Sequence, residues 1–519
     1  MRMTNKIMQN NSLYNVNNNK ILQDKLSTQM STQKKITRPS DDPIVAIRAL
    51  RLRTSVSELT QYYEKNAPDA ESWLSVTEKA LGTGTEVITD LIKQATKGAN
   101  KDLAVEDLSI IAEQMRNLGD EYYSTGNVDF AGRYVFTGYR TNTTLSFTEE
   151  VTDNPPQYTI TEQLTMQDFD TINYTNMGVL DGLNKNSYNE TKYDTVTEQD
   201  IANSDIHRIR LAYDALKEGA VPQIQYVDAD GKAAAVPEFP TVEEVPAGTD
   251  PYQYVQNNPG KAVFVAQTGE ILLGDTVYTA LQNNTAITTE TEFQITYEKD
   301  SWKKGDLRPE HYFACTAVTK NADGSTKTVN YNQEYLQGDE ETQIIEYDVG
   351  YNQKIRVNTT AREAFTHDLG RDIDDLENAI ASLTEINATV EDLKKVLDGL
   401  TEGTAEYDKV QKQLDAANTA YDYVRENVHN MFEGTITSMQ SYLDMTNIAV
   451  TDNGTRSSRL ELISNRLMDQ KTTFQTLQSE NEDIDISEVV IQLTSTELTY
   501  EAALMATGKI MQTSLMNYI

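Results

Sequence analysis

The chain has 519 residues, with 45 lysines and arginines against 80 aspartates and glutamates, and a net charge of −35. So strong a negative charge argues against nucleic acid as a partner. A single cysteine, Cys315, and four histidines exclude a disulfide framework and offer no zinc-ligand spacing, so no metal or other cofactor is expected. No apolar run approaches twenty residues, which argues against insertion into a membrane.

The composition changes near residue 140 and again near residue 358, which separates two helical ends from a different middle. In both ends apolar residues recur at three- and four-residue spacing, as on one face of an amphipathic helix. The predicted fold class is α+β: a long antiparallel helical or coiled-coil rod from both chain ends, with an inserted antiparallel β domain. We predict terminal helical segments at 1–42 and 481–519, halves of the rod at 43–140 and 358–480, and an inserted outer domain at 141–357.

The first helical segment carries a weak coiled-coil pattern. Ile7, Tyr14 and Ile21 repeat every seven residues, as one seam position of a coiled coil would, but the intervening seam positions fall among asparagines. Isolated helices of this quality are marginal in water. We therefore expect the segment to be disordered in the monomer and to become ordered against a partner.

A capped helix is predicted from residues 36–53, which read ITRPSDDPIVAIRALRLR. Ser40, Asp41 or Asp42 can cap a helix whose first turn starts with Pro43. Stronger apolar periodicity follows on both sides of the middle block and predicts bundle helices. Its positions are Leu74, Leu81, Ile88 and Ala95, then Leu108, Ile111, Met115 and Tyr122, and finally Leu369, Ile373, Leu376, Ile380 and Leu383.

The middle block, residues 141–357, holds 15 of the 28 tyrosines. Two Asp-Gly pairs, at 230–231 and 323–324, supply the positive-φ turns that a hairpin needs. Cys315 lies within a β-rich run and is expected to be a buried, small apolar residue. The β-rich runs that predict antiparallel strands are residues 262–266, 293–298 and 311–319.

The last segment resembles the first in quality but has the opposite charge. Residues 479–501 contain seven acidic residues and no basic one, whereas residues 1–55 contain ten basic and three acidic residues. Like the first segment, it is expected to be disordered in the monomer. Its candidate seam positions are Leu493, Tyr500, Leu504, Met511, Leu515 and Tyr518.

Catalytic constellations are missing from the sequence. Gly82-Thr83-Gly84 lacks the third glycine of a dinucleotide loop and lies inside a helical heptad pattern. Asp228-Ala229-Asp230-Gly231 lacks the later ligands of a calcium loop, which favours a plain turn. His367 and His429 lie in helical segments and are expected to be ordinary surface or flank residues. We therefore predict no catalytic, metal-binding or cofactor-binding residue.

One stretch is specific enough to indicate a family. Arg38, Pro39, Ser40, Asp41, Asp42 and Pro43 resemble the signature of the flagellin family, in the form carried by its hook-filament junction branch. The resemblance continues in order along both helical ends, over about 300 of the 519 residues. Departures are Thr32-Gln33-Lys34 in place of the usual Ser-Gly-Lys, a long middle block, and Pro68, which should kink the helix or restart it after Asn66. Further similar segments are 69–74, 132–138, 483–488, 500–507 and 514–519.

The resemblance implies a non-enzymatic structural protein of the bacterial flagellum. It implies export without a cleavable signal peptide and an extracellular location at the hook-filament junction. The implied partners are further copies of the chain in a ring, the neighbouring hook-associated junction protein, flagellin, and a cytoplasmic export chaperone at the C-terminal helix. The implied assembly interface consists of Ile7, Tyr14, Ile21, Leu493, Tyr500, Leu504, Met511, Leu515 and Tyr518.

Three other functions remain open from the residues. A filament-forming flagellin would share both chain ends, although Pro39, Pro43 and the ending Asn517-Tyr518-Ile519 argue against it. A secreted glycan-binding or glycan-degrading enzyme could use the tyrosine-rich block, because aromatic faces stack on sugars. A cytoplasmic coiled-coil scaffold is the third.

Overall fold

The computed structural model describes residues 5–512, except for residues 229–230, 238, 247, 285–286, 321–324 and 338–342. Long helices occupy both chain ends. Over the described residues, no helix combines the length and the apolar character that a membrane span requires. The helices are α1 (Asn5–Thr32), α2 (Pro43–Gln61), α3 (Ala67–Gly98), α4 (Val105–Thr125), α5 (Pro251–Asn257), α6 (Asp275–Gln282), α7 (Ala361–Ala364), α8 (Asp368–Asp398), α9 (Ala405–Glu482) and α10 (Ile486–Gln512).

Between α4 and α7 the chain is mainly β structure. Two short hairpins, β1 with β2 and β14 with β15, come before and after the two larger sheets along the chain. The strands are β1 (Asp129–Phe130), β2 (Arg133–Tyr134), β3 (Gln157–Leu164), β4 (Phe169–Asn176), β5 (Ala202–Arg210), β6 (Gln223–Val227), β7 (Ala233–Ala235), β8 (Val242–Glu244), β9 (Ala262–Val265), β10 (Glu270–Leu273), β11 (Phe293–Lys299), β12 (Ala314–Lys320), β13 (Thr326–Tyr331), β14 (Glu346–Gly350) and β15 (Gln353–Arg356).

The two larger sheets share one hydrophobic core. Their strand orders are β4-β5-β10-β9-β8 and β13-β12-β3-β11-β6-β7, and neighbours are antiparallel except for the parallel pair β8 and β9. In the central strand of the second sheet, Ile160 lies opposite both Tyr297 and Cys315. These three side chains join Ile209 and Ile271 of the first sheet in one buried cluster. The α+β fold and the burial of Cys315 are therefore confirmed.

Of the two predicted hairpin turns, the first is described in part and the second lies outside the described residues. Gly231 has φ +75 in the turn between β6 and β7, where its amide donates to the carbonyl of Asp228. That conformation is the one for which the Asp-Gly pair was expected. Asp230 and the second pair, residues 323–324, lie outside the described residues.

Helix periodicity predicted the helical core well. All of the heptad positions Leu74, Leu81, Ile88 and Ala95 of α3 are buried. The amide of Asn453 in α9 donates to the carbonyl of Leu74, so α3 also contacts the C-terminal half of the chain. Upstream of α3 the helical hydrogen bonding changes to a π-type turn over Tyr62–Asn66, and α3 begins at Ala67, next to the helix-disrupting Pro68.

The chain forms two compact units. One consists of the described parts of Met1–Glu71, Tyr347–Ile355 and Ser458–Ile519, and the other of the described parts of Ser72–Glu346 and Arg356–Ser457. We name them the terminal unit and the central unit. The division into five segments made from the sequence stays a prediction.

In the central unit, buried ion pairs join the β sheet to α8. Arg208 of β5 donates to Asp170 (2.8 Å), to Asp375 of α8 (2.6 Å) and to Glu270 of β10. Arg210 also donates to Asp375 (3.0 Å). Burial opposes the charge on Asp375, but the two guanidinium groups prevail and lower its pKa. Charges this well matched can stay buried because each one has partners.

His367 corrects an expectation, because it is not an ordinary surface residue. Its ring contacts Tyr213, Tyr312 and Phe313, with centroid distances of 4.8, 4.4 and 5.1 Å. Its Nε2 lies 2.9 Å from the hydroxyl of Tyr213, which itself donates to the carbonyl of Leu307. Burial lowers the pKa of His367 to about 3, so the ring is neutral near pH 7. Only the tertiary fold brings His367 together with Tyr213, Tyr312 and Phe313, so the local sequence pattern did not reveal this aromatic cluster.

A buried carboxyl group lies in the β core without a cationic partner in the described structure. Glu162 of β3 accepts hydrogen bonds from the amide of Ala212 (3.1 Å) and the hydroxyl of Tyr297 (3.0 Å). Burial raises the pKa of Glu162 to about 7, from 4.5 for the exposed side chain. Between these values the folded state holds a proton that the unfolded state has released. The free energy of unfolding therefore falls as the pH rises through this window.

We predict that Arg208→Ala destabilises the central unit by about 3–5 kcal/mol, because it leaves Glu270 buried without a cation and Asp375 with Arg210 alone. Lys93→Ala, which removes a pair exposed on both sides, should cost less than about 1 kcal/mol. Denaturant unfolding followed by circular dichroism measures both. Equal, small effects of the two substitutions would contradict the role given to Arg208.

Glu162→Gln should remove one source of pH dependence. Relative to this variant, the wild-type free energy of unfolding should fall by up to about 1.4 kcal/mol per pH unit between about pH 4.5 and 7. Above that window the difference should level off. Denaturant titrations at several pH values measure the difference, in which all other titrating groups cancel. Parallel pH profiles for the two proteins would show that Glu162 titrates normally.

Candidate assembly surface

The two terminal helices, α1 and α10, form an antiparallel pair in the terminal unit. The hydroxyl groups of Ser12 and Thr507 lie 2.8 Å apart, and the amide of Gln23 donates to Glu497 at 3.4 Å. The side chains of α1 that are shielded from solvent follow one face and are mostly polar. They are Gln9, Ser12, Val16, Asn19, Gln23, Leu26 and Gln29.

The apolar heptad residues of α1 lie on its other side. Ile7, Tyr14 and Ile21 are 49%, 66% and 61% exposed. Because residues seven apart share one side of a helix, these three form a line that faces away from α10. The structure places this line away from the contact within the chain, which uses the mostly polar face of α1. Its role in assembly stays a proposal.

On α10 the predicted positions divide between two faces. Leu493 and Tyr500 are half-buried on the face toward α1, together with the buried Val489. Leu504 and Met511 are 45% and 58% exposed and lie off that face. The last two predicted positions, Leu515 and Tyr518, lie outside the described residues.

Sequence analysis missed a second apolar line on α10. Ile491, Leu498 and Met505 are 70%, 64% and 67% exposed and are spaced by seven residues. They lie opposite the face that contacts α1, as Ile7, Tyr14 and Ile21 do on their helix. The seven-residue spacing was available in the sequence, but only the paired structure identifies this line as outward. We name the two sets the outward lines of α1 and α10.

Exposed apolar lines of this kind have a physical meaning. An isoleucine, leucine or methionine side chain gains about 1.5–3 kcal/mol from full burial. Contiguous exposed apolar surface in a folded protein marks a site of interaction. The terminal helix pair therefore has an inner face that is mostly polar on α1 and largely apolar on α10, and it leaves two lines of large apolar side chains exposed.

The signature residues 38–43 form the turn before α2 and the start of that helix. Asp42 caps α2: its carboxylate accepts from the amides of Ile44 (2.9 Å) and Val45 (3.1 Å), and Pro43 occupies the first turn. Asp41 closes the preceding turn by accepting from the amide of Arg38 at 2.9 Å. Amide hydrogen bonds from Arg38 and Thr37 lower the pKa of Asp41. The side chains of Arg38, Pro39 and Ser40 are exposed.

Two linkers meet where α1 leads into α2 and α9 leads into α10. The amide of Lys35 donates to the carbonyl of Glu482 (2.7 Å), and the amide of Ile484 donates to that of Gln33 (3.2 Å). Arg53 of α2 holds the nearly buried carboxylate of Glu482 through two hydrogen bonds, which lower the pKa of Glu482. The bridge fixes the base of the terminal helix pair.

Residues 3–141 match the family described as the bacterial flagellin N-terminal helical region. This part of the chain is similar to the flagellin family. The family is a structural, non-enzymatic one. The signature residues 38–43, the outward line of α1 and the capped helix α2 all lie within the matched flagellin-family region.

Two curated relatives align with part of the chain. The flagellar hook-associated protein 3 of Salmonella typhimurium is 30% identical over 142 residues, which is 27% of this chain and 44% of the relative. The protein of the same name from Escherichia coli is 30% identical over 151 residues, 29% of this chain and 47% of the relative. The chain thus spans less than half the length of the curated relatives it matches.

Solved structures with related names align over more of the chain at low identity. A putative flagellar hook-associated protein from Vibrio parahaemolyticus covers 85% of this chain and 100% of its own, with 13% identity and a TM-score of 0.33. FlgL from Xanthomonas campestris covers 83% of this chain and 99% of its own, with 11% identity and a TM-score of 0.30.

Gln33 has φ +57, a left-handed conformation that costs about 1–2 kcal/mol for residues other than glycine. We predict that Gln33→Gly preserves or strengthens the linker bridge, whereas the β-branched side chain of Gln33→Val weakens it. Hydrogen exchange of the Lys35 and Ile484 amides measures the bridge directly. Equal protection in both variants would contradict the strain assigned to this position.

Proposed function

We propose that this chain is a structural component of the bacterial flagellum and acts as an adaptor at the hook-filament junction. The observation that carries the proposal is the pair of outward lines, each with three large side chains exposed on a terminal helix. A chain that functioned alone would gain stability by burying them. The match of residues 3–141 to the bacterial flagellin N-terminal helical region and the names of the two curated relatives support the same function.

Copies of the chain associate through the outward lines into a ring. Each line offers three large side chains, and association must also offset the loss of translational and rotational freedom. Several weak helix contacts acting together provide that free energy, whereas one helix alone does not. The predicted assembly residues of α10, Leu493 and Tyr500 among them, either hold the pair together or belong to this exterior.

The other proposed partners lie on either side of the ring, because an adaptor at the junction connects the hook to the filament. The ring binds the neighbouring hook-associated junction protein on one side and flagellin on the other. Before export without a cleavable signal peptide, a cytoplasmic chaperone covers the outward line of α10 and the exposed Leu504 and Met511. The location is the extracellular flagellum, with neither nucleic acid binding nor membrane insertion.

The alternative function is that of a flagellin, which forms the filament itself. The match of residues 3–141 to the flagellin N-terminal helical region is compatible with both functions. The signature prolines Pro39 and Pro43 around Ser-Asp-Asp favour the junction protein. A filament subunit would polymerise over long distances, whereas an adaptor stops after one layer.

Localisation in purified flagella, by immunogold electron microscopy, tests the proposal and separates it from the alternative. Label confined to the point where hook and filament meet is expected. Label along the filament would assign the chain to the flagellins, and absence from flagella would overturn both functions.

We predict that Tyr14→Asp with Ile21→Asp weakens self-association of the purified chain, because carboxylates in the outward line of α1 would be buried on contact. Helix content should be unchanged, since both positions are exposed in the single chain. Asn15→Asp with Ser27→Asp adds the same charge to exposed positions off the outward line and serves as control. Analytical ultracentrifugation measures association. Equal effects of the two pairs would mean that charge alone, not this face, matters.

A further inference from the structure

Helix α2 presents an apolar stripe that its own unit leaves uncovered. Ile44, Ile47 and Leu50 are 66%, 53% and 61% exposed. They follow one another at three-residue spacing, so they lie on adjoining turns of one side. The other side of α2 holds the buried Ala46 and Ala49, and there the chain contacts the end of α9. The proposed function makes no use of this stripe.

Two cations lie within the stripe. Arg48 and Arg51 are exposed, and neither has an ion-pair partner among the described residues. Arg53, by contrast, points to the inner side and is held by Glu482. The outward side of α2 therefore combines three aliphatic side chains with two uncompensated positive charges. A surface of this composition fits a partner that is apolar and acidic.

The terminal unit itself carries a matching surface. Two exposed glutamates lie beside Ile491 and Leu498 of the outward line of α10. Glu488 is three residues before Ile491, and Glu501 is three residues after Leu498. Residues three apart are neighbours on a helix, so the two carboxylates bracket the apolar pair. Neither carboxylate has an ion-pair partner among the described residues.

The two surfaces also match in length. Ile44 to Leu50 extends about 9 Å along its helix, and Ile491 to Leu498 about 10.5 Å, at 1.5 Å per residue. Glu488 lies at one end of the pair Ile491 and Leu498, and Glu501 lies at the other end. Whichever way the stripe of α2 is aligned on this pair, one of the two carboxylates is within reach of an arginine side chain. Apolar contact and opposite charge thus occur together on both surfaces.

We propose that the stripe of α2 in one copy docks on the outward line of α10 in a neighbouring copy. The inference rests on the proposed self-association and adds which surfaces meet. Because two different surfaces meet, the contact is heterologous, and successive contacts of this kind generate a ring or an open helix rather than a two-fold dimer. One basic and one acidic face per copy also fixes the direction in which copies add.

The test uses charge reversal in the full chain. Arg48→Glu with Arg51→Glu, and separately Glu488→Lys with Glu501→Lys, should each weaken self-association at least about tenfold at low salt, and less at high salt. An equimolar mixture of the two variants should recover association, because each reversed face then meets a reversed partner. Lys79→Glu with Lys97→Glu makes the same charge change at exposed positions of α3 and should leave association unchanged.

Sedimentation velocity at equal total concentration reads out all five samples, namely the wild type, the two charge-reversed variants, their mixture and the control. Circular dichroism confirms that their helix content is the same. Recovery in the mixture supports the docking, since a folding defect in either variant could not be repaired by mixing. Association of the wild type without recovery in the mixture overturns this inference and leaves the proposed function standing. A wild type that stays monomeric at every concentration and salt overturns both.

Discussion

The antiparallel pairing of α1 with α10 is the contact on which the terminal helices depend, through a face that is mostly polar on α1 and largely apolar on α10. Ser12 and Thr507 meet at 2.8 Å in that face, whereas Ile7, Tyr14 and Ile21 lie opposite. The polar side chains of α1 exchange hydrogen bonds with water for hydrogen bonds within the pair, which contributes little net stability. The side chains of the two outward lines take no part in this contact and stay exposed in the single chain.

The central unit buries a large apolar core and, beside it, ion pairs whose charges have partners: Arg208 binds carboxylates on two strands and on α8. Neutral His367 is buried in an aromatic cluster for the same reason, because a charged ring would lose its hydration there without compensation.

Under the proposed function, neighbouring copies cover the outward lines of the terminal helices. Ordering of these helices would then be coupled to assembly, when partners are present to offset the loss of conformational entropy. The linker bridge at Gln33 and Ile484 joins the two terminal helices at their base.

The local sequence pattern determined where the helices and the β block lie and which residues share a helix face. Leu74 and Leu81 were predicted to be core residues and are buried, because strong periodicity in a long helix leaves one apolar face. Periodicity gives which residues share a face but not what that face meets. Only the tertiary pairing decided that Tyr14 faces outward and that the overlooked Leu498 does so too. The contact of Arg208 with Asp375 likewise joins residues far apart in sequence, where no local spacing can encode the partner.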